Sequence, residues 1–357
     1  MNSSLFRRIH YSISREYYRW LSKFNDRQVA SLNQSLRDRY ISENRGKKSK
    51  KVYIDRLGYE WFYTSAINTS YSYELVDTPE EADLVIFLVI VREELNITNK
   101  DVLIVIREPK DYAPLYVNRL SKEFFENNRV TILSHLDSPE YFIHGAENFQ
   151  SIKYIRSFFY PNFHHWATPE VLESIDKAPR KKLIFTLTSG LSGIPGNSLR
   201  KRFIGRLSKT NSRFDFYGRF SRDAFSLKNY RGLCSLKYQL LASYRYNLIL
   251  ENSPGEVGYI TEKIFDALIC GCMPIFHGTR KIFDMLPAKW FYYLPSLEDD
   301  EVEKLNQFLQ TDAYLEVSNN RKEIAEYIDR NLGFYSMIEK YLAGESVQLL
   351  SFESEIT

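Results

Sequence analysis

Cysteine is scarce here: Cys234, Cys270 and Cys272 are the only three in 357 residues. An odd number without regular spacing excludes a disulfide framework, and Cys270 and Cys272 lie too close together at a helix-to-strand junction to form a staple. A reducing compartment is therefore expected. No C-x-x-C or H-E-x-x-H pattern offers a metal cage. Long apolar runs are missing as well. The longest, Leu84–Val91, falls far short of the roughly 20 residues a membrane span needs and suits a buried strand instead. Arg7 and Arg8 have no apolar stretch behind them, so neither a signal peptide nor a membrane anchor is expected. No internal repeat is visible, which excludes solenoids and propellers.

What remains is a globular profile with room for two domains: 44% hydrophobic and 26% charged residues. Aromatics reach 15%, with 26 Tyr and 24 Phe, faces that suit sugar rings and nucleobases but serve a core equally well. The net charge of +3 is unevenly spread. Residues 1–51 hold 13 Lys/Arg against 4 Asp/Glu, a local +9 that ends in Lys47, Lys48, Lys50 and Lys51. Nucleic acid, anionic lipid and plain solvation each account for such a cluster. Within it, residues 5–25 form an amphipathic pattern, with Ile9, Ile13, Tyr17, Trp20, Leu21 and Phe24 on one face. That face either docks on the protein's own surface or lies at an anionic membrane.

Beyond this basic segment, residues 1–50, the chain alternates apolar runs with helical patterns. Val52–Leu57, Asp83–Val91, Val102–Arg107 and Val130–Ser134 are candidate strands, with a helix-like stretch at 113–126. Such runs predict a parallel sheet covered on both faces, in an N-terminal domain over 51–165. Prolines at Pro161 and Pro169 and a charged stretch at 174–182 mark a linker near 162–180. A second α/β domain follows over 180–342. Its strands are Lys182–Thr188, Phe214–Tyr217, Tyr246–Leu250, Cys272–Phe276 and Trp290–Leu294. Its helices are Ser198–Lys209, Lys237–Ser243 and Glu262–Ile269, with closing helices at 299–311, 319–331 and 334–342. Residues 343–357 form a tail expected to fray. The fold class is thus α/β, with ligands expected outside the carboxyl ends of parallel strands.

One segment carries chemistry. In Tyr244–Gly278, the strand Tyr246–Leu250 delivers Glu251-Asn252-Ser253 to its carboxyl end. Pro254, Gly255 and Gly258 make a tight loop, and Thr261 is placed to cap the helix Glu262–Ile269. Gly271 ends that helix, and Pro274 inside the next strand implies a bulge or an unpaired position. Free backbone N–H groups and a positive dipole at such a helix start suit a phosphate. Lys263 in the first turn is unfavourable there unless an anion sits beside it. Glu262 is placed to accept hydrogen bonds from ribose hydroxyls.

The ordered set Tyr244-Arg245-Tyr246, Glu251-Asn252-Ser253, Tyr259-Ile260-Thr261-Glu262-Lys263 and Pro274 resembles the signature of the α1,3/4-fucosyltransferases, glycosyltransferase family 10. Arg245 and Leu250 depart from the usual Lys and Phe. Weaker matches extend the resemblance over roughly 182–295: Arg200 at a helix start, Phe214–Arg219 with Tyr217, and Lys237 before the signature strand. The resemblance implies a GT-B-like fold, two Rossmann-like α/β domains facing a cleft, and inverting transfer of L-fucose from GDP-fucose. By position, Arg200, Asn252, Tyr259, Glu262 and Lys263 would bind the donor. Tyr217, Lys237, Glu251, Ser253 and His277 are further candidates, His277 because it sits at a strand end beside the cleft.

A single displacement needs a general base for the acceptor hydroxyl. The family's base lies just after an N-domain strand, a position that here falls on Glu108 in Arg107-Glu108-Pro109; Glu93 and Glu94 are alternatives. No metal and no further cofactor is expected, since the chain has no Asp-x-Asp triplet and the adjacent His164 and His165 point apart. The expected partners are a GDP-sugar and a Gal/GlcNAc-containing glycan of a bacterial surface polysaccharide or lipopolysaccharide, fucosylated at O3. The expected location is the cytoplasm, peripheral to the inner membrane through residues 5–25. Two other readings stay open. One is a GT-B transferase for another nucleotide sugar, exostosin-like or using a different GDP-deoxysugar. The other is nucleic-acid binding through the basic N-terminus, which lacks any base-reading motif.

Overall fold

The computed structural model describes residues 38, 41–55, 71–88, 97–106, 110, 121–137, 152–157, 169–177, 179–188, 197–218, 229–232, 234 and 237–347. Within them the chain builds two wholly parallel sheets, the α/β class expected. The first contains β1 (Lys50–Ile54), β2 (Tyr73–Leu75), β3 (Leu84–Leu88), β4 (Asp101–Ile106), β5 (Arg129–Ser134) and β6 (Lys153–Arg156), in the order β2-β1-β3-β4-β5-β6. Every residue of β3 is buried, as its unbroken apolar run requires of a strand covered on both faces. The strand period of two divides the run. Leu84, Ile86 and Leu88 join one apolar cluster, while Val85 and Phe87 join another with Phe125 of α1 (Lys122–Glu126).

The second sheet contains β7 (Lys182–Leu187), β8 (Phe214–Tyr217), β9 (Tyr244–Leu250), β10 (Met273–His277) and β11 (Tyr292–Tyr293), in the order β11-β10-β9-β7-β8. Its helices begin with α2 (Pro169–Lys177), α3 (Asn197–Thr210), α4 (Lys237–Ser243) and α5 (Glu262–Ile269). They continue with α6 (Asp299–Phe308), α7 (Tyr314–Asn319), α8 (Arg321–Leu332) and α9 (Phe334–Leu342). Helix α5 buries Ile264, Phe265, Leu268 and Ile269 as its spacing requires, and Asp266 with them. Its stop is steric. Gly271 has φ +68, and a Cβ there would sit 2.8 Å from Arg180 Nη2. Pro274 pairs with Asn247 of β9 but precedes the pairing with β11, which starts at Ile275, so no bulge is needed.

Four expectations change. Helix α2 occupies part of the stretch read as linker; Arg321 of α8 holds its Asp176 through two hydrogen bonds of 2.5 and 2.7 Å. The strand expected at Trp290–Leu294 shrinks to β11, preceded by a 3-10 turn at Ala288–Trp290. Helix α9, assigned to the second domain, instead buries Phe334, Tyr335, Met337 and Ile338 in the core of the first sheet. The chain therefore crosses back after α8, and each such side chain is worth about 1.5–3 kcal/mol of burial. Finally, the tail does not fray at once, because Val347 is buried in that same core. No described helix is long and apolar enough to cross a membrane.

The carboxyl ends of the two sheets meet. His135, one residue past β5, is hydrogen-bonded to Glu256 in the loop after β9. This contact brings the carboxyl end of β5 against the loop that follows β9.

Candidate functional site

Strand β9 ends in Leu250, and its neighbour β10 ends in His277, its register partner. Glu251 follows, with no exposed surface. One carboxylate oxygen accepts the Thr261 backbone N–H at 2.9 Å and the Thr261 hydroxyl at 2.7 Å. The other accepts Lys263 Nζ at 3.0 Å. Gly278 permits this approach, since a Cβ there would lie 3.2 Å from Glu251 Cγ and 2.5 Å from the Phe276 ring. The anion that Lys263 requires at a helix start is therefore partly supplied by the protein itself. Thr261 sits at the N-cap position of α5 without capping it through its side chain. Its hydroxyl oxygen instead accepts from Lys263 Nζ at 2.7 Å. Glu251 thus organises the helix start rather than presenting a free carboxylate to a ligand.

Arg200 approaches from the first turn of α3. It is 4% exposed. Its Nη1 donates to Asn252 Oδ1 at 2.8 Å and to the Leu250 carbonyl at 3.3 Å. Its Nε and Nη2 are buried and find no acceptor among the described residues. Burial lowers its pKa, against the pull of the Glu251 charge and of Tyr259. A guanidinium with two unsatisfied donors in a buried setting is costly to maintain and suited to a bidentate oxyanion. Arg202, its rival on the same helix, is exposed.

Around this centre the other expected residues fall into groups. Lys237 of α4 pairs with Asp266 at 2.6 Å and reaches Glu262 at 3.8 Å. Burial works to lower its pKa, but the carboxylates of Asp266 and Glu262 prevail and raise it. Lys263 is raised the same way, burial being outweighed by Glu251 and Glu262. For Glu262 burial works upward, and Lys263 and Lys237 prevail to lower it. His277 donates Nδ1–H to the Leu294 carbonyl at 2.9 Å, which leaves Nε2 as acceptor; burial lowers its pKa and keeps the ring neutral. Tyr259 is buried, its ring 5.7 Å from that of His135. Ser253 is half-buried and its carbonyl accepts the Glu256 N–H at 3.1 Å.

Tyr217 stands apart. Its hydroxyl lies 3.0 Å from that of Tyr244, which donates to Asp215 at 2.6 Å. Burial raises its pKa, and Arg231 closes the group on Asp215. This network ties β8 to β9. Glu108, Glu93, Glu94, His164, His165 and residues 5–25 lie outside the described residues. Asp266, Glu256 and His135 were not anticipated. Asp266 had a signal, a carboxylate on the apolar face of α5; the other two had none. Among the described residues no group of three or more His, Cys, Asp or Glu is placed to hold a metal ion.

Against known proteins, residues 178–329 match the family model described as Glycosyltransferase family 10 (fucosyltransferase) C-term. A fucosyltransferase-like protein of Arabidopsis thaliana is 26% identical over 137 residues, 38% of this chain and 25% of that protein. The alpha-(1,3)-fucosyltransferase FucT of Helicobacter pylori is 30% identical over 109 residues, 29% of this chain and 23% of that protein. The chain thus matches about a quarter of the length of these relatives. Among solved structures, a UDP-forming α,α-trehalose-phosphate synthase from Burkholderia xenovorans is similar at 10% identity and a TM-score of 0.44, covering 73% of each chain.

Proposed function

We propose that this chain, whose residues 178–329 form a glycosyltransferase family 10 domain, moves L-fucose from GDP-fucose to a glycan hydroxyl. The observation that carries the reading is Arg200: a buried guanidinium with two unpartnered donors, beside the start of α5 and its Lys263. A diphosphate supplies the missing acceptors. When the glycosidic bond breaks, negative charge gathers on the departing GDP, and Arg200 and Lys263 counter it in a site with little water. Asn252 orients Arg200, Glu262 accepts ribose hydroxyls, Tyr259 walls the cleft, and His277 Nε2 accepts a hydroxyl from the sugar. The charge on the leaving group is met by side chains, so transfer proceeds without metal, and chelator leaves the rate unchanged.

Glu108 is the general base in this scheme, taking the proton from the acceptor hydroxyl as its oxygen attacks the anomeric carbon and inverts it. What supports this is position. In sequence Glu108 is two residues past the end of β4 and two before Lys110. Lys110 donates its backbone N–H to Glu256 of the donor-side loop, at 3.2 and 3.3 Å to the two oxygens. The acceptor is a Gal/GlcNAc-containing glycan, modified at O3, and the enzyme works in the cytoplasm, with residues 5–25 at the inner membrane. Incubation with a panel of GDP-sugars and such glycans tests the reading: fucose transfer from GDP-fucose supports it, and transfer only from a UDP-sugar overturns it. Glu108→Gln should abolish transfer and spare GDP binding; near-normal turnover by this variant would remove Glu108 from the role.

A further inference from the structure

We infer that Glu256 is a positioning residue, a clasp that holds Lys110 and His135, beyond the carboxyl ends of β4 and β5, against the donor loop; the inference rests on the reading of the site as a GDP-sugar transferase. Glu256 lies between the two donor-binding stretches, Glu251–Ser253 and Tyr259–Lys263. Its own backbone is fixed there, N–H to the Ser253 carbonyl and carbonyl from the Tyr259 N–H, both at 3.1 Å. Its carboxylate, however, belongs to the other side of the cleft. Both oxygens accept the Lys110 backbone N–H, and one also accepts His135 Nε2–H at 2.6 Å.

These contacts join three things that the reaction must align. Lys110 follows the end of β4 by four residues in sequence. His135, 3% exposed on its side chain, sits at the end of β5, the strand next to β4. Tyr259, packed on the His135 ring, leads directly into Thr261 and the start of α5. A carboxylate carried on the second sheet's loop and bonded beyond the carboxyl ends of the first sheet sets the spacing between the two sides of the site. Misplacement by about an ångström is enough to slow transfer by about a hundredfold without weakening nucleotide binding. Charge alone would not require this arrangement, since a solvent-exposed loop glutamate gains nothing from an oriented amide and an imidazole held at once. The 2.6 Å bond from His135 marks a built contact.

The test uses the full chain with Glu256→Ala, Glu256→Gln and Glu256→Asp. Three quantities are read: GDP affinity by calorimetry, kcat for fucose transfer, and hydrogen exchange at the Lys110 amide. Loss of the clasp predicts that Glu256→Ala lowers kcat by about ten- to a hundredfold, leaves the GDP Kd within about threefold, and speeds exchange at Lys110. Glu256→Gln, which keeps an oxygen for the Lys110 N–H, recovers part of kcat. Unchanged exchange at Lys110 in Glu256→Ala overturns the contact. Faster exchange with an unchanged kcat overturns the positioning role, and so does a parallel fall in kcat, GDP affinity and melting temperature. A wild-type chain that binds no GDP refutes the functional reading instead, and exchange at Lys110 still decides whether the clasp exists.

Discussion

The two sheets share a plan but handle buried charge differently. In the first, Glu74 is 1% exposed and its carboxylate is spent on the backbone, accepting the N–H groups of Gly46, Lys47 and Lys48. That arrangement closes a turn and asks for no ligand. In the second, Glu251, Lys263, Glu262, Lys237, Asp266 and Arg200 form a chain of charges at the carboxyl ends of β9 and β10, and it ends in donors left open on Arg200. Saturated charge marks structure; the unsaturated donors of Arg200 are the ground for the diphosphate proposed above, which would offset their desolvation.

The largest effect expected from this contrast is at Glu251. Glu251→Ala removes three bonds from the start of α5 and leaves Lys263 without its partner, a loss on the order of 3 kcal/mol in unfolding free energy, with GDP binding abolished. Glu74→Ala strands only backbone donors and should cost about 1–3 kcal/mol with GDP affinity intact. Denaturant titration and calorimetry of both variants check this; loss of GDP binding in Glu74→Ala breaks the separation between the halves.

Next comes Arg200→Met. It removes two unsatisfied buried donors along with the Nη1 bonds to Asn252 and Leu250, so the two effects offset and stability should stay within about 1 kcal/mol while GDP affinity falls at least about a hundredfold. A large drop in melting temperature would show that Arg200 is a structural strut, and the contrast would be lost.

The smallest effect concerns pH. The folded-state pKa of Glu262 lies below its ordinary value of 4.5, through Lys263 and Lys237. Its contribution is complete above that ordinary value and is lost as the pH falls through the depressed one. The stability gap between wild type and Glu262→Gln, read from urea midpoints, should be constant near neutrality and narrow on acidification below 4.5. A gap that widens there would reverse the sign assigned to the pair.

Local pattern made much of this legible. The unit from β9 through α5 to β10 falls within two residues of the expected bounds, because apolar period, Gly271 and the strand-end Glu-Asn-Ser each report on local backbone. Strands β2 and β6 escaped notice: three residues, and a Lys-Tyr-Ile-Arg stretch half exposed, carry too little period to register. Helix α2 hid behind its prolines and charges. The choice of partner was not legible at all. That Lys263 takes Glu251, that Arg200 keeps two donors open, and that Glu256 reaches Lys110 and His135 depend on distances between elements far apart in sequence.

The open donors of Arg200 are the centre of the account, and calorimetric titration of GDP and UDP into wild type and Arg200→Met addresses them most directly. Wild type should bind GDP at least about tenfold more tightly than UDP, and Arg200→Met, equally folded, should lose that binding. Wild-type preference for UDP, or GDP affinity unchanged in Arg200→Met, would contradict it.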